Sequence, residues 1–212
     1  MNENNHDPAA AIPKSSPWSR FWSQLVSAPA PSVAHQLYSR LVSSARFPVY
    51  YRRLGVPDTP EGRFEILALH VGLAVRRLMN LDADGRATGQ ALFDLMMTDL
   101  DSNLRELGVG DLSVGKQMKR LAGQFYARLA VLNEAFDQGR TEGLAPMLEA
   151  NVFGSAAPAP ADLAHFADIV LCLEQALDRQ PAADLLDGQI TLPDEQALID
   201  LADHGQNRDP GK

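Results

Sequence analysis

Apolar residues that recur every three or four positions constrain the fold of this chain most strongly. Between residues 111 and 138 the spacings are four, three, four, three and four, which is the pattern of one face of an α-helix. The stripe consists of Met118, Ala122, Phe125, Leu129, Leu132 and Phe136. Strands would require alternating runs rich in β-branched residues, and the sequence has none. The sequence therefore predicts an all-α fold.

Similar stripes predict the other helices. They are expected at 18–26, from Pro31 to just before Pro48, at 59–81, at 86–107, around 163–177 and at 194–203. The stretch 59–81 is apolar around so much of its circumference that we expect burial on more than one side. Gly108 and Gly139 are expected to end two helices, because glycine readily takes the left-handed conformation of a helix C-terminus.

Composition divides the chain into three parts. Residues 1–17 have little apolar bulk, and we expect 1–30 to be a flexible segment with one short amphipathic helix. Residues 31–154 form the predicted helical domain. Residues 155–212 follow as a helical, acidic C-terminal extension, since the stretch 141–212 carries thirteen acidic and only three basic side chains.

Several function classes are disfavoured by composition and charge. The net charge of −8 opposes binding of nucleic acid, DNA included, or of an anionic lipid surface by the whole protein, although a local basic patch can still bind either. One cysteine and five scattered histidines form no metal-ligand cluster, so neither a metal nor a cofactor is expected. The N-terminus resembles neither a secretory signal nor a mitochondrial presequence, and no stretch is apolar enough to span a bilayer. We expect a cytoplasmic protein. Peripheral contact with the inner membrane is the alternative location.

Arg63, His70 and Arg77 are spaced by seven residues and so lie along one line of the helix predicted at 59–81. Histidine ligates heme and metal ions, which makes His70 a candidate ligand. No second histidine or methionine accompanies it at a matching spacing. A buried, hydrogen-bonded histidine is therefore the competing interpretation.

Carboxylates at Asp94, Asp99 and Asp101 are of the type that holds magnesium. On a helix, however, positions two apart point about 200° away from each other, so Asp99 and Asp101 do not share a ligand easily. Asp101 precedes Arg105 by four residues, a favourable spacing for an ion pair. A polar network between helices is the competing interpretation.

The segment GDLSVGKQ at 110–117 nearly matches the phosphate-binding loop. It departs from that pattern at Gln117, where a magnesium-binding hydroxyl is required, and it follows a predicted helix instead of a strand. The competing interpretation is a turn between two helices, with Asp111 or Ser113 capping the second one.

A basic cluster of Lys116, Lys119 and Arg120 lies in the first turns of a predicted helix, where positive charge opposes the helix dipole. Gly108, Gly110 and Gly115 also fall within a stretch of eight residues just before this cluster. Both features carry a small cost in stability, which is expected where binding selects the residues. We therefore predict that the loop 107–116 and this cluster form a functional surface, which would contact the ribosome, lipid headgroups or an acidic protein.

The runs TPEGRFEILALHVGLAVRRL (59–78) and LFDLMMTDLDSNLRELGVGDLSVGKQMKRLAGQFYARLAVL (92–132) resemble the ubiquinol–cytochrome c chaperone family over roughly residues 35–153. The resemblance implies an all-helical domain without catalytic activity. Mitochondrial members work with a small partner subunit near the ribosomal exit tunnel and hold newly made cytochrome b before heme insertion. The start of this chain and its acidic extension depart from the mitochondrial pattern and indicate a bacterial-type member.

The resemblance implies a non-enzymatic assembly chaperone for the cytochrome bc1 complex, with cytochrome b or another bc1 subunit as its client. A helical adaptor with a client unrelated to respiration is the alternative, and an enzyme or heme carrier that uses His70 is the third hypothesis. The candidate partner-binding residues are Arg63, His70, Arg77, Asp101, Arg105, Asp111, Lys116, Lys119 and Arg120. A structural network that joins the helices is the competing interpretation for much of this set.

Overall fold

Helices account for all of the regular secondary structure that the computed structural model describes, which covers residues 31–139, 143–154, 158 and 160–206. The α-helices are α1 (Pro31–Ala45), α2 (Pro48–Arg52), α3 (Pro60–Met79), α4 (Ala83–Glu106), α5 (Asp111–Asp137), α6 (Leu144–Leu148), α7 (Pro160–Asp178), α8 (Ala182–Leu186) and α9 (Glu195–Gln206). A π-helical turn, Glu149–Phe153, continues α6. The predicted all-α fold is confirmed. The predicted flexible segment 1–30 and its helix lie outside the described residues.

Helix α3 lies at the centre of the structure. The nine consecutive residues from Ala68 to Arg76 are all buried, which confirms that this helix is enclosed on more than one side. Helices α1, α4, α5 and α7 all pack against it. A strongly apolar helix gains most by this placement, because it removes nearly its whole circumference from water.

Side-chain and glycine caps set the helix ends. Thr59 caps α3 by accepting a hydrogen bond from the Gly62 amide at 3.1 Å. Asp82 accepts a bond from the Gly85 amide at 3.0 Å, which is why α4 begins three residues earlier than predicted. At the other end of α4, Gly108 has a φ of 79°. The predicted glycine cap is therefore confirmed.

Two glycines let α4 approach α3 closely. A Cβ atom at Gly85 would lie 2.7 Å from the Leu78 carbonyl oxygen and 2.4 Å from the Leu81 Cβ. A Cβ at Gly89 would lie 3.3 Å from the Leu78 Cβ. The contact between these helices therefore depends on the missing side chain at position 85.

The boundary placed at residue 154 does not coincide with a limit of the core. Helix α7 contributes Phe166, Ile169, Val170, Leu173 and Leu177 to the same cluster of buried side chains as α3. The short elements α2, α6 and α8 were not predicted, because five residues are too few to show a helical period.

We predict that Gly85→Ala lowers the free energy of unfolding by about 1–3 kcal/mol, because the new methyl group overpacks a backbone contact. Gly123→Ala is the matched control, since a Cβ there meets no atom within 4 Å. Alanine stabilises a helix interior relative to glycine, so this control should raise stability by about 0.5–1 kcal/mol. Urea unfolding followed by circular dichroism measures both variants. Equal destabilisation would contradict the close-approach explanation.

Candidate functional site

The line of Arg63, His70 and Arg77 on α3 falls into three different environments. Arg63 lies at the exposed start of the helix, where its Nε donates to Asp58 at 2.7 Å and its guanidinium stacks over the Tyr51 ring at 5.0 Å. His70 is buried in the middle of the helix. Arg77 lies at the end of α3. The three residues lie on one face of the helix, but they do not form a common binding surface.

His70 is held by hydrogen bonds at both ring nitrogens. Its Nδ1 lies 2.8 Å from the Ile66 carbonyl oxygen, and its Nε2 lies 3.2 Å from the Ser44 hydroxyl and 3.1 Å from the Tyr50 hydroxyl. Because a carbonyl only accepts, Nδ1 carries the proton and Nε2 accepts from the hydroxyls. This is the buried, hydrogen-bonded histidine of the competing interpretation. Its position in the core prevents direct contact with a partner or a heme.

Arg77 caps the C-terminal end of α7. Its guanidinium donates to the carbonyl oxygens of Leu177 at 3.2 Å and Gln180 at 3.1 Å. These carbonyls lie in the last turn of α7 or just beyond it, where helix geometry leaves oxygens without intrahelical partners. Positive charge is also favourable at this end of the helix dipole. The geometry gives Arg77 a structural function in joining α3 to α7.

Arg105 joins the two arms of the α4–α5 hairpin. Its guanidinium contacts Asp101 at 2.6 Å on its own helix and Asp111 at 2.5 Å on the next one. Residue Gly110, without a side-chain hydrogen bond, occupies the N-cap of α5. The predicted cap at Asp111 or Ser113 is therefore wrong, because the Asp111 carboxylate is engaged by Arg105. The structure brings Asp101, Arg105 and Asp111 together.

Beyond this network, the hairpin ends in an exposed surface that we call the tip surface. It consists of Leu107, Leu112, Lys116, Lys119 and Arg120. Leu107 is 74% exposed and Leu112 is 95% exposed. In the sequence, Leu107 continues the three-to-four spacing of Phe93, Met96, Leu100 and Leu104, yet it is exposed because the helix extends past the core before it ends. The structure brings the predicted basic cluster together with two leucines that sequence reasoning did not assign to it.

The remaining candidate chemical motifs consist of residues that make hydrogen bonds within the protein or lie in a helix. Asp94 accepts from Gln90 at 2.7 Å, and Asp99 accepts from the Tyr38 hydroxyl at 2.9 Å. In the described part of the chain, no group of three or more histidine, cysteine or carboxylate side chains is arranged to hold a metal ion. Residues 111–117 of the loop-like motif are helical, so they do not form the open loop that wraps a phosphate.

Two buried arginines were not among the residues predicted from the sequence. Arg76 lies between Glu174 at 3.0 Å and Asp137 at 2.5 Å, and so connects α3, α5 and α7. Arg128 of α5 forms a buried ion pair with Glu65 of α3. Burial raises the pKa of Glu65, and the guanidinium beside it opposes that rise. Charged residues within apolar stretches were the available signal, because buried charges require partners.

Burial lowers the pKa of His70 from its ordinary value of 6.5 to about 4. Between these values the unfolded chain binds a proton that the folded protein does not. Stability is therefore complete above pH 6.5 and falls as the pH approaches 4, with a slope of up to about 1.4 kcal/mol per pH unit. We predict that His70→Gln removes this slope, as measured by urea unfolding across that range.

His35→Gln, which changes an exposed histidine, is the control for this measurement and should keep the slope. Glu65 also titrates with a raised pKa, but it is present in every variant and cancels in the comparison. An unchanged slope in His70→Gln would contradict the neutral, buried state of His70.

The comparisons with known proteins agree with this all-helical architecture. The family described as Ubiquinol-cytochrome C chaperone matches residues 52–192. The crystal structure of the Cbp3 homolog from Brucella abortus superposes with a TM-score of 0.70 and 33% sequence identity, covering 78% of this chain and 91% of that one.

Ubiquinol-cytochrome c reductase complex assembly factor 1 is similar in mouse and in human. Each is 28% identical over 156 residues, which is 72% of this chain. That alignment covers 52% of the mouse protein and 51% of the human one, so the chain spans about half the length of these curated relatives. Because the family match covers well over half of the sequence, the chain belongs to the ubiquinol–cytochrome c chaperone family.

Proposed function

We propose that this protein is a non-enzymatic chaperone that assists assembly of the ubiquinol–cytochrome c reductase (bc1) complex, with cytochrome b or another bc1 subunit as its client. The family match over residues 52–192 is the observation that carries the proposal. The mouse and human relatives are assembly factors of that complex by name, which supports the same role here.

The arrangement of polar side chains supports binding in preference to catalysis. His70, Arg76 and Arg77 are committed to hydrogen bonds that join helices. A catalytic group would need to be positioned against a substrate. The tip surface, by contrast, presents its side chains to solvent at the end of a helical hairpin. We propose that it contacts a partner during assembly.

Deletion of the gene tests the chaperone function directly. We expect lower levels of cytochrome b and of the spectroscopic signal of bc1 heme b, both restored by the wild-type chain. Unchanged levels would favour the alternative, a helical adaptor whose client is unrelated to respiration.

The tip variant, Lys116→Gln with Lys119→Gln and Arg120→Gln, tests the contact surface in the deletion strain. The described part of the chain provides no ion pair for Lys116 or Lys119, and Arg120 makes an exposed hydrogen bond to Gln124 at 3.5 Å, so their replacement should leave the melting temperature nearly unchanged. Removal of charge that opposes the helix dipole can raise it slightly. We predict lower bc1 levels from a normally folded protein. A melting temperature many degrees lower would identify these residues as structural.

A charge-matched control separates position from net charge. The control variant carries Arg40→Gln, Arg46→Gln and Arg52→Gln, three exposed arginines of α1, of α2 and of the turn between them. It removes the same number of positive charges at a distance in sequence from the hairpin. Full bc1 levels with the control variant, and reduced levels with the tip variant, are the expected pattern. Full levels with both variants would place the contact surface elsewhere.

A further inference from the structure

We propose that the tip surface docks the protein on a bilayer that contains anionic lipids, with Leu107 and Leu112 entering the headgroup region and the three basic residues contacting lipid phosphates. The proposal rests on the proposed function only in assigning a partner to the tip surface. In the described residues, no helix has both the length and the apolarity to cross a bilayer. Contact with the membrane through these residues would therefore be peripheral.

The hairpin projects from the core. Met96 is the last buried residue of α4, and within the continuously described range 31–139 no residue from 97 to 113 is buried. Met97 and Leu100 still pack against the core and Asp99 binds Tyr38 of α1, so the helical residues from Asp101 to Glu106 extend beyond it, by about 9 Å at 1.5 Å per residue. The two leucines lie on either side of the turn at the far end. Both leucines are therefore accessible to a partner at this end of the hairpin.

Backbone hydrogen bonds define the turn that separates Leu107 from Leu112. The Gly108 amide bonds to the Arg105 carbonyl at 2.9 Å, and the Val109 amide bonds to the Leu104 carbonyl at 3.1 Å. This paired pattern closes α4 in a defined turn. Leu107 and Leu112 are the large apolar side chains most exposed in the described structure. Exposed apolar groups fixed at the end of a projection are a feature of interaction sites.

The charge pattern fits an anionic surface. Leu112, Lys116 and Lys119 are spaced by four and three residues, so they share the outward face of α5 with Arg120. From residue 112 to residue 133 the sequence contains no acidic side chain. Acidic groups do lie nearby on the turn and on α4. Arg105 pairs with Asp101 and Asp111, whereas Glu106 stays exposed.

A bilayer accounts for the two kinds of side chain together. Basic residues near an anionic membrane are attracted by its surface potential, and neighbouring apolar side chains gain by leaving water at the acyl boundary. Nucleic acid offers phosphates, but the tip leucines would gain little from them. The net charge of −8 opposes adsorption of the whole protein on an anionic bilayer, so the contact is expected through the locally basic face of α5.

Sedimentation with vesicles tests the electrostatic attraction between the tip surface and anionic lipid. The full chain should bind vesicles that contain phosphatidylglycerol, should bind pure phosphatidylcholine vesicles much more weakly, and should dissociate as salt is raised. The tip variant should lose about tenfold or more in its partition to the anionic vesicles. The control variant should retain clearly more binding than the tip variant. The comparison is made between variants because each of them carries the same segment 1–30. Any vesicle binding by that segment therefore contributes equally to every measurement.

An environment-sensitive fluorophore tests insertion. Leu112→Cys in a Cys172→Ser background carries the label at the tip, and Ala164→Cys in the same background places it at an exposed position of α7. Anionic vesicles should shift the emission of the first label to the blue and leave the second unchanged. Equal shifts, or no shift at position 112, would overturn insertion of the tip.

The two proposals fail in different ways. Equal vesicle binding by the wild type and the tip variant, together with reduced bc1 levels in cells, would overturn membrane docking and identify a protein or RNA contact at the tip. Normal bc1 levels after gene deletion would overturn the assembly function, while vesicle binding would be unaffected. Loss of vesicle binding by the tip variant supports docking in either case.

Discussion

Enclosure of α3 by four other helices is the constraint on which the structure depends. Because this helix has almost no solvent-facing side, each polar group on it must find a partner inside the protein. Arg76 binds carboxylates from α5 and α7, and His70 binds hydroxyl groups that α1 and α2 supply. Burial of the apolar side chains drives the assembly, and these polar contacts favour one arrangement of the surrounding helices.

The buried ion pairs have a particular energetic character. A buried pair adds little net stability, because desolvation of both charges offsets their attraction, whereas loss of one partner leaves an unpaired charge in the core. Glu65 with Arg128, and Arg76 with its two carboxylates, therefore penalise alternative packings of α5 and α7 against α3. Such groups lie too deep to recognise a partner.

The long helices and their glycine caps could be predicted from the sequence because period and turn chemistry are local properties. How deeply a side chain is buried depends on the whole fold, and the spacing of apolar residues does not encode it. Leu107 fits the inward stripe of α4 but lies beyond the core. Arg63, His70 and Arg77 share one spacing, yet one is exposed, one is buried and one caps a neighbouring helix. Which elements cover each turn of α3 decided those outcomes.

The projection of the α4–α5 hairpin has a consequence for how the protein moves. Segments with few buried contacts open locally at a lower free energy than the global unfolding transition. Residues 101–113 form such a segment, whereas the bases of the same two helices are fixed in the core through Phe93 and Phe125, whose ring centroids lie 5.0 Å apart. The far end of the hairpin can therefore fray and re-form while the core stays folded. Its amide hydrogens would exchange with solvent on a faster timescale than those of α3.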